Sequence, residues 1–145
     1  MAATKKPTTV ETYRNIMSEL KAGRFAPVYL LMGNESYYID KICDWFTSNP
    51  LTEEEKDFNQ TVLYGADTST QQIMEAARRY PVMAAKRLVI VRDLQAIKSL
   101  DMLEKYMENP VASTVLVLCY MNGVIDARKK IVTQINHSGR VLVSE

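Results

Sequence analysis

Five short apolar runs alternate with amphipathic segments along this chain. Each run predicts a β-strand: Val28 to Met32, Gln60 to Tyr64, Leu88 to Val91, Thr114 to Cys119 and Val141 to Val143. A run that is apolar throughout is typical of a parallel strand that is covered on both faces. The alternating βαβαβαβαβ order predicts an α/β fold with a doubly wound, mostly parallel, five-stranded sheet.

Capping residues and breakers mark the first helices. Thr8 and Glu11 have the spacing of a capping box, and Gly23 ends the helix that they begin. A second helix follows the first strand, from Glu35 to Phe46. The acidic stretch from Glu53 to Asp57 predicts a solvated loop or a short helix.

The later helices are marked in the same way. Ser69 and Gln72 repeat the capping-box spacing. The helix that follows carries a stripe of Ile73, Ala77 and Tyr80. Another helix is indicated from Leu100 to Met107, and we expect Asp126 to cap a last helix, with Gly139 just beyond its end.

Length and charge bound the class of protein. The 145 residues are most simply one domain, 1–145. The net charge of +1 argues against a strongly electrostatic nucleic-acid binder. Met1 to Pro7 lacks a signal peptide's apolar region, and the longest apolar run, Val115 to Met121, is far too short to cross a bilayer. We therefore expect a cytoplasmic domain. Because the chain ends just after its fifth strand, we also expect that it is either truncated or the first domain of a longer protein.

Metal and nucleophile chemistry have few candidate residues. His137 is the only histidine and falls in the last turn of a predicted helix, where a helix-end role is expected. Cys43 and Cys119 lie in apolar segments without the spacing of a zinc pair, so we expect reduced core thiols. Asp93 follows the third strand without a second carboxylate and is interpreted as a turn or capping residue. We therefore expect no catalytic residue, no metal and no cofactor.

The turn from the first strand into the second helix lies where α/β proteins carry a phosphate-binding loop. That loop ends in Gly-Lys-Ser/Thr, but here Gly33 stands alone and no lysine precedes Lys41. Glu35 places a negative charge at the helix start, where it suits the helix dipole but would repel a phosphate. The pattern predicts a nucleotide-binding architecture without a functional phosphate loop.

Two clusters are candidates for binding. Pro81, Val82 and Met83 form a short apolar tip between basic residues, just before the third strand. The tip is either an exposed docking point or part of the core under the helix, and the residues leave both interpretations open. The basic cluster of Arg128, Lys129 and Lys130 is interpreted first as a solvated face, with contact to DNA or an acidic partner as the alternative.

Three segments, taken in order, resemble the N-terminal domain of the delta subunit of the bacterial DNA polymerase III clamp loader. They are Pro27 to Glu35, Pro81 to Val91 and Ile125 to Lys130, and they span essentially the whole chain. The resemblance implies an ATPase-like module of the AAA+ clamp-loader type that has lost its phosphate loop. It also implies a subunit without catalysis of its own, inside a DNA-directed DNA polymerase (nucleotidyltransferase) holoenzyme.

The resemblance further implies a binding site and partners. In the family, two apolar residues at the tip enter a pocket on the sliding clamp (beta subunit), and the subunit helps to open the ring. By position these residues are Val82 and Met83, beside Pro81, in place of the family's bulkier Leu-Phe or Phe-Phe. Other clamp-loader subunits, and DNA in the full complex, are expected through the family's lid and collar domains, which these residues lack. No membrane partner is expected.

Two rival functions remain open from the sequence. One is a nucleotide hydrolase with an unusual phosphate loop, which measurable ATP binding would favour. The other is a generic doubly wound interaction module from another pathway. A gene that continues into two helical domains would favour the clamp loader over that module.

Overall fold

Five parallel strands form the centre of the structure, a computed structural model that describes residues 7–145. They are β1 (Val28–Gly33), β2 (Gln60–Tyr64), β3 (Arg87–Arg92), β4 (Thr114–Met121) and β5 (Arg140–Ser144). Their order across the sheet is β2-β3-β4-β1-β5, and every neighbouring pair is parallel. The predicted fold class is confirmed. Residues 1–6, which belong to the polar N-terminal segment and to the predicted 1–145 domain, lie outside the described residues.

Helices connect the strands. Within residues 7–145 they are α1 (Thr9–Lys21), α2 (Ser36–Ser48), α3 (Glu53–Asn59), α4 (Thr70–Arg78), α5 (Leu103–Glu108) and α6 (Lys130–Ser138). The capping box at Thr8 and Glu11 is confirmed, and the acidic stretch forms the short helix α3. In this part of the chain, no helix combines the length and the apolar character that crossing a membrane requires.

The core consists of two apolar layers, one on each face of the sheet. Side chains of α1 and α2 pack on one face, and side chains of α4, α5 and α6 pack on the other. β1 shows the alternation directly, because Tyr29 and Leu31 belong to the first layer while Leu30 and Met32 belong to the second. Burial on both sides explains why the strand sequences are apolar throughout.

Two local predictions were wrong. Asp126 does not cap α6: that helix begins at Lys130, and the Asp126 carboxylate instead accepts hydrogen bonds from the backbone and side chain of Arg128. Tyr80 is not part of a helical stripe, because Arg79 adopts an extended conformation that ends α4 and leaves Tyr80 exposed.

Gly33, the last residue of β1, packs against the backbone of β5. Its φ of +130° lies in a region that L side chains rarely adopt, and a Cβ atom there would collide with the carbonyl oxygen of Ser144. Gly23 also has a positive φ, +77°, but has open space around it. Substituting Gly23 therefore introduces backbone strain alone, whereas substituting Gly33 introduces backbone strain and a steric clash.

We expect Gly33→Ala to lower the free energy of unfolding by at least about 3 kcal/mol. Alanine adds a strained backbone conformation in β1, and its Cβ atom forces β5 to move. Gly23→Ala should cost only about 1 to 2 kcal/mol, the backbone penalty alone. Urea unfolding measures both losses. Equal losses would contradict close β1–β5 packing at Gly33.

Candidate functional site

The carboxyl ends of β1 and β4 form the place where ligands bind in many doubly wound sheets. β1 leads to α2 on one face, and β4 leads towards α6 on the other, so the connections diverge between these neighbouring strands. Gly33, Asn34 and Glu35 form the turn at this point. The turn is therefore where a phosphate would be held.

Hydrogen bonds within the protein already occupy this turn. The Glu35 N–H donates to the Ser144 carbonyl oxygen at 3.2 Å, and the Asn122 N–H donates to the Gly33 carbonyl oxygen at 3.1 Å. The Tyr37 N–H at the start of α2 donates to the Glu35 carboxylate at 2.9 Å. Glu35 thus supplies the anion that the helix N-terminus favours. The amides of Glu35 and Tyr37 are therefore engaged within the protein, and the Glu35 carboxylate lies where a phosphate loop would hold an anion.

The acidic residue after β3 is a turn residue, as predicted. Asp93 has a left-handed φ of +55° and precedes a single 3₁₀ turn, Leu94–Ala96. Its carboxylate accepts from the Gln95 side chain at 3.3 Å. The neighbouring Arg92 reaches the carboxylates of Asp40 and Asp44 on α2, at 3.9 and 3.5 Å.

The two cysteines are buried free thiols, as predicted. A hydrogen bond with Cys43, together with burial, raises the pKa of Cys119 well above its ordinary value. The Cys119 thiol is therefore protonated at neutral pH and a poor nucleophile. Among residues 7–145, no three His, Cys, Asp or Glu side chains lie close enough together to hold a metal ion.

The apolar tip lies at the opposite end of the sheet, just before the amino end of β3. Met83 is 97% exposed and Val82 is 50% exposed, whereas Pro81 is partly buried. Tyr80 and Phe58 add further exposed aromatic surface, at 76% and 68%. The tip therefore projects into solvent, and the alternative that its side chains are core residues is wrong.

Buried polar side chains fix the chain on either side of the tip. Asn59, the last residue of α3, hydrogen-bonds both backbone groups of Val82. The Arg87 guanidinium donates to the carbonyl oxygens of Ala76 and Phe58, at 2.8 and 3.0 Å, and to the Thr61 hydroxyl. Burial lowers the pKa of Arg87, but an arginine still remains protonated. Hydrogen bonds from buried side chains thus hold the corner that carries the short apolar tip.

Sequence reasoning missed this anchoring. In the sequence, Asn59 follows an acidic segment and Arg87 is one of several basic residues beside the tip, so neither stands out as an anchor. The available signal was position: an arginine at the start of a strand, followed by four apolar residues, is a candidate for burial with hydrogen-bonded partners.

The basic cluster follows the carboxyl end of β4, so the structure does not bring it together with the tip. Arg128 forms an ion pair with Asp126 at 2.7 Å, and Lys130 lies 4.0 Å from Glu108. Lys129 is exposed at the start of α6. Two of the three cations thus have acidic neighbours, and contact with DNA or a partner remains a prediction.

Comparison with known proteins decides the family. A family model described as DNA polymerase III, delta subunit, matches residues 29–144. The chain belongs to the DNA polymerase III delta subunit family. The resemblance that the three sequence segments indicated is confirmed.

Individual relatives agree with this assignment. The DNA polymerase III subunit delta of Bacillus subtilis (strain 168) is 29% identical over 127 residues, which cover 81% of this chain and 37% of that protein. The solved structure of the Bacillus subtilis DNA clamp loader delta protein matches with a TM-score of 0.80 at 26% identity, covering 91% of this chain and 42% of that one. This delta-family chain thus spans about two-fifths of the length of these relatives.

A more distant structure supports the fold alone. A DNA polymerase III, gamma subunit-related protein from Thermotoga maritima matches with a TM-score of 0.55 at 14% identity, over 92% of this chain and 46% of that one. The delta-family chain therefore shares its α/β architecture with this protein.

We expect calorimetric titration of the delta-family chain with Mg²⁺-ATP to show no saturable heat up to about 1 mM, the upper end of usual substrate affinities. The Glu35 amide is already bonded and no lysine replaces the phosphate-loop lysine. Glu35→Ala is the matched control: it removes the repelling carboxylate but leaves the turn's backbone bonds in place, so it too should not bind. Saturable binding of Mg²⁺-ATP by either protein would contradict the inference that the turn from Gly33 to Glu35 cannot hold a phosphate.

Proposed function

We propose that this chain is the clamp-binding domain of a DNA polymerase III delta subunit and helps to open the sliding clamp during DNA replication. One observation carries the proposal: Val82 and Met83 form an exposed apolar tip on a hydrogen-bonded corner of the fold. Two adjacent exposed apolar side chains have a free-energy reason to find a partner pocket.

The free energy of burying apolar side chains supports a contact made by Val82 and Met83. Burying a methionine or valine side chain contributes roughly 1.5 to 3 kcal/mol before the costs of association. Met83 offers more apolar area than Val82 and can adapt to the shape of a pocket because its side chain is unbranched. Met83 therefore provides the larger share of the contact, and Pro81 and Val82 flank it.

The domain works without catalysis of its own. The Glu35 carboxylate occupies the α2 N-terminus, and the turn amide of Glu35 is bonded to Ser144. These two features argue against the rival function of nucleotide hydrolysis. The work of the domain is then mechanical: it binds one face of a ring-shaped partner in the cytoplasm, as part of a polymerase holoenzyme.

Other partners act through regions outside these residues. The family's lid and collar domains join delta to the other clamp-loader subunits and to DNA in the full complex. Arg128, Lys129 and Lys130 are the residues of this domain with charge suited to DNA or to an acidic partner. Asp126 beside Arg128 and Glu108 beside Lys130 offset part of that charge, so the contribution of the cluster is a minor one.

We expect Met83→Asp to weaken binding to the cognate sliding clamp by at least about 100-fold, because a carboxylate must be desolvated in an apolar pocket. Met102→Asp is the matched control: Met102 is 47% exposed at the start of α5, away from the tip. Calorimetry or surface binding with purified clamp measures both affinities.

The control should bind like the wild type, and both variants should unfold at similar temperatures because neither side chain is buried. If Met83→Asp binds the clamp as tightly as the wild type does, the tip is not the clamp-binding site.

A further inference from the structure

Asn59 has an unusual set of partners for an asparagine at the end of a helix. Its side chain is fully buried. The Asn59 Nδ2 atom donates to the carbonyl oxygens of Val82 and Glu55, at 2.8 and 3.0 Å, and its Oδ1 atom accepts from the Val82 N–H at 2.6 Å. The Asn59 side-chain amide thus satisfies both backbone groups of Val82, from 23 positions earlier in the chain.

Met83, the next residue, has a backbone that requires such a constraint. Its φ is +54°, in the left-handed region where a non-glycine residue is uncommon. A strained conformation persists only where the surroundings determine it. The Met83 side chain is 97% exposed and supplies little packing of its own. The constraint therefore comes from the backbone on either side.

The far side of the tip is also fixed. The Lys86 Nζ donates to the Ala112 carbonyl oxygen at 2.9 Å, and the Arg87 N–H donates to the Ser113 carbonyl oxygen at 2.8 Å. Asn59 holds the near side and these bonds hold the far side. Between them lie only Met83, Ala84 and Ala85.

We propose that Asn59 is a positioning residue that fixes the tip in its binding conformation before the clamp arrives. This inference rests on the proposed clamp-binding function and assigns a second residue to the same site. A preformed tip spares the complex the cost of ordering Val82 and Met83 on binding. Asn59 itself never needs to touch the clamp.

Backbone relaxation of the free 145-residue chain is the first test. The amide order parameters of Val82 and Met83 should be near 0.85 in the wild type, as in rigid backbone, and should fall below about 0.6 in Asn59→Ala. Asn59→Ser is a second variant, since a single hydroxyl oxygen on a shorter side chain replaces the separate Nδ2 and Oδ1 atoms that bond the two groups of Val82. Rigid tips in both variants would overturn the inference.

Clamp affinity is the second test. Asn59→Ala should weaken binding about five- to twenty-fold through the cost of ordering the tip. In a Met83→Ala background the same change should cost less than about two-fold, because a residue that acts through Met83 has little left to position. A purely structural role predicts additive losses instead, and additive losses would overturn the inference.

The outcomes separate this inference from the function on which it rests. A wild-type chain that does not bind the clamp refutes the proposed function, while the relaxation data still decide whether Asn59 holds the tip. A clamp-binding wild type with unaffected Asn59 variants refutes the inference alone. Failure of both variants to fold would also overturn it, since Asn59 would then determine the fold rather than the tip.

Discussion

The buried guanidinium of Arg87 is the interaction on which the exposed tip depends. It joins three elements to the first residue of β3, because it donates to Ala76 in α4, to Phe58 at the end of α3 and to Thr61 in β2. No described carboxylate pairs with it; carbonyl and hydroxyl oxygens satisfy its donors instead. Such a network strongly resists rearrangement, since losing one bond leaves a buried polar group without a partner. These bonds tie together the elements beside the exposed side chains of Val82 and Met83.

The two ends of the sheet have opposite characters. At the carboxyl end, where many doubly wound sheets bind ligands, the turn after β1 makes internal hydrogen bonds with Ser144 and Asn122 and through the Glu35 carboxylate. At the amino end, the connection from α4 to β3 is anchored but exposes Val82 and Met83. The chain thus has a doubly wound scaffold without the lysine of a phosphate loop, which is why function must be argued from the site and not from the architecture.

The strands and the missing phosphate loop could be predicted from the sequence, because local sequence signals and burial coincide there. The strands are apolar because both faces are covered, and the lysine missing after Gly33 is visible in the sequence itself. The exposure of Val82 and Met83 could not be decided, since apolar residues occur both in cores and at docking points. Asn59 could not be found, because its partner is distant in sequence. The prediction that Asp126 caps the last helix was wrong because its carboxylate instead accepts hydrogen bonds from the nearby Arg128.

The most direct test of the central claim is the hydrogen-exchange footprint of the sliding clamp on this chain, followed by mass spectrometry. If the tip is the contact, amides in residues 79–86 exchange more slowly in the presence of the clamp. Exchange in residues 33–38 and 126–130 stays unchanged, because neither the closed turn nor the basic cluster takes part. Protection confined to either of those two segments, with residues 79–86 unaffected, would contradict the account.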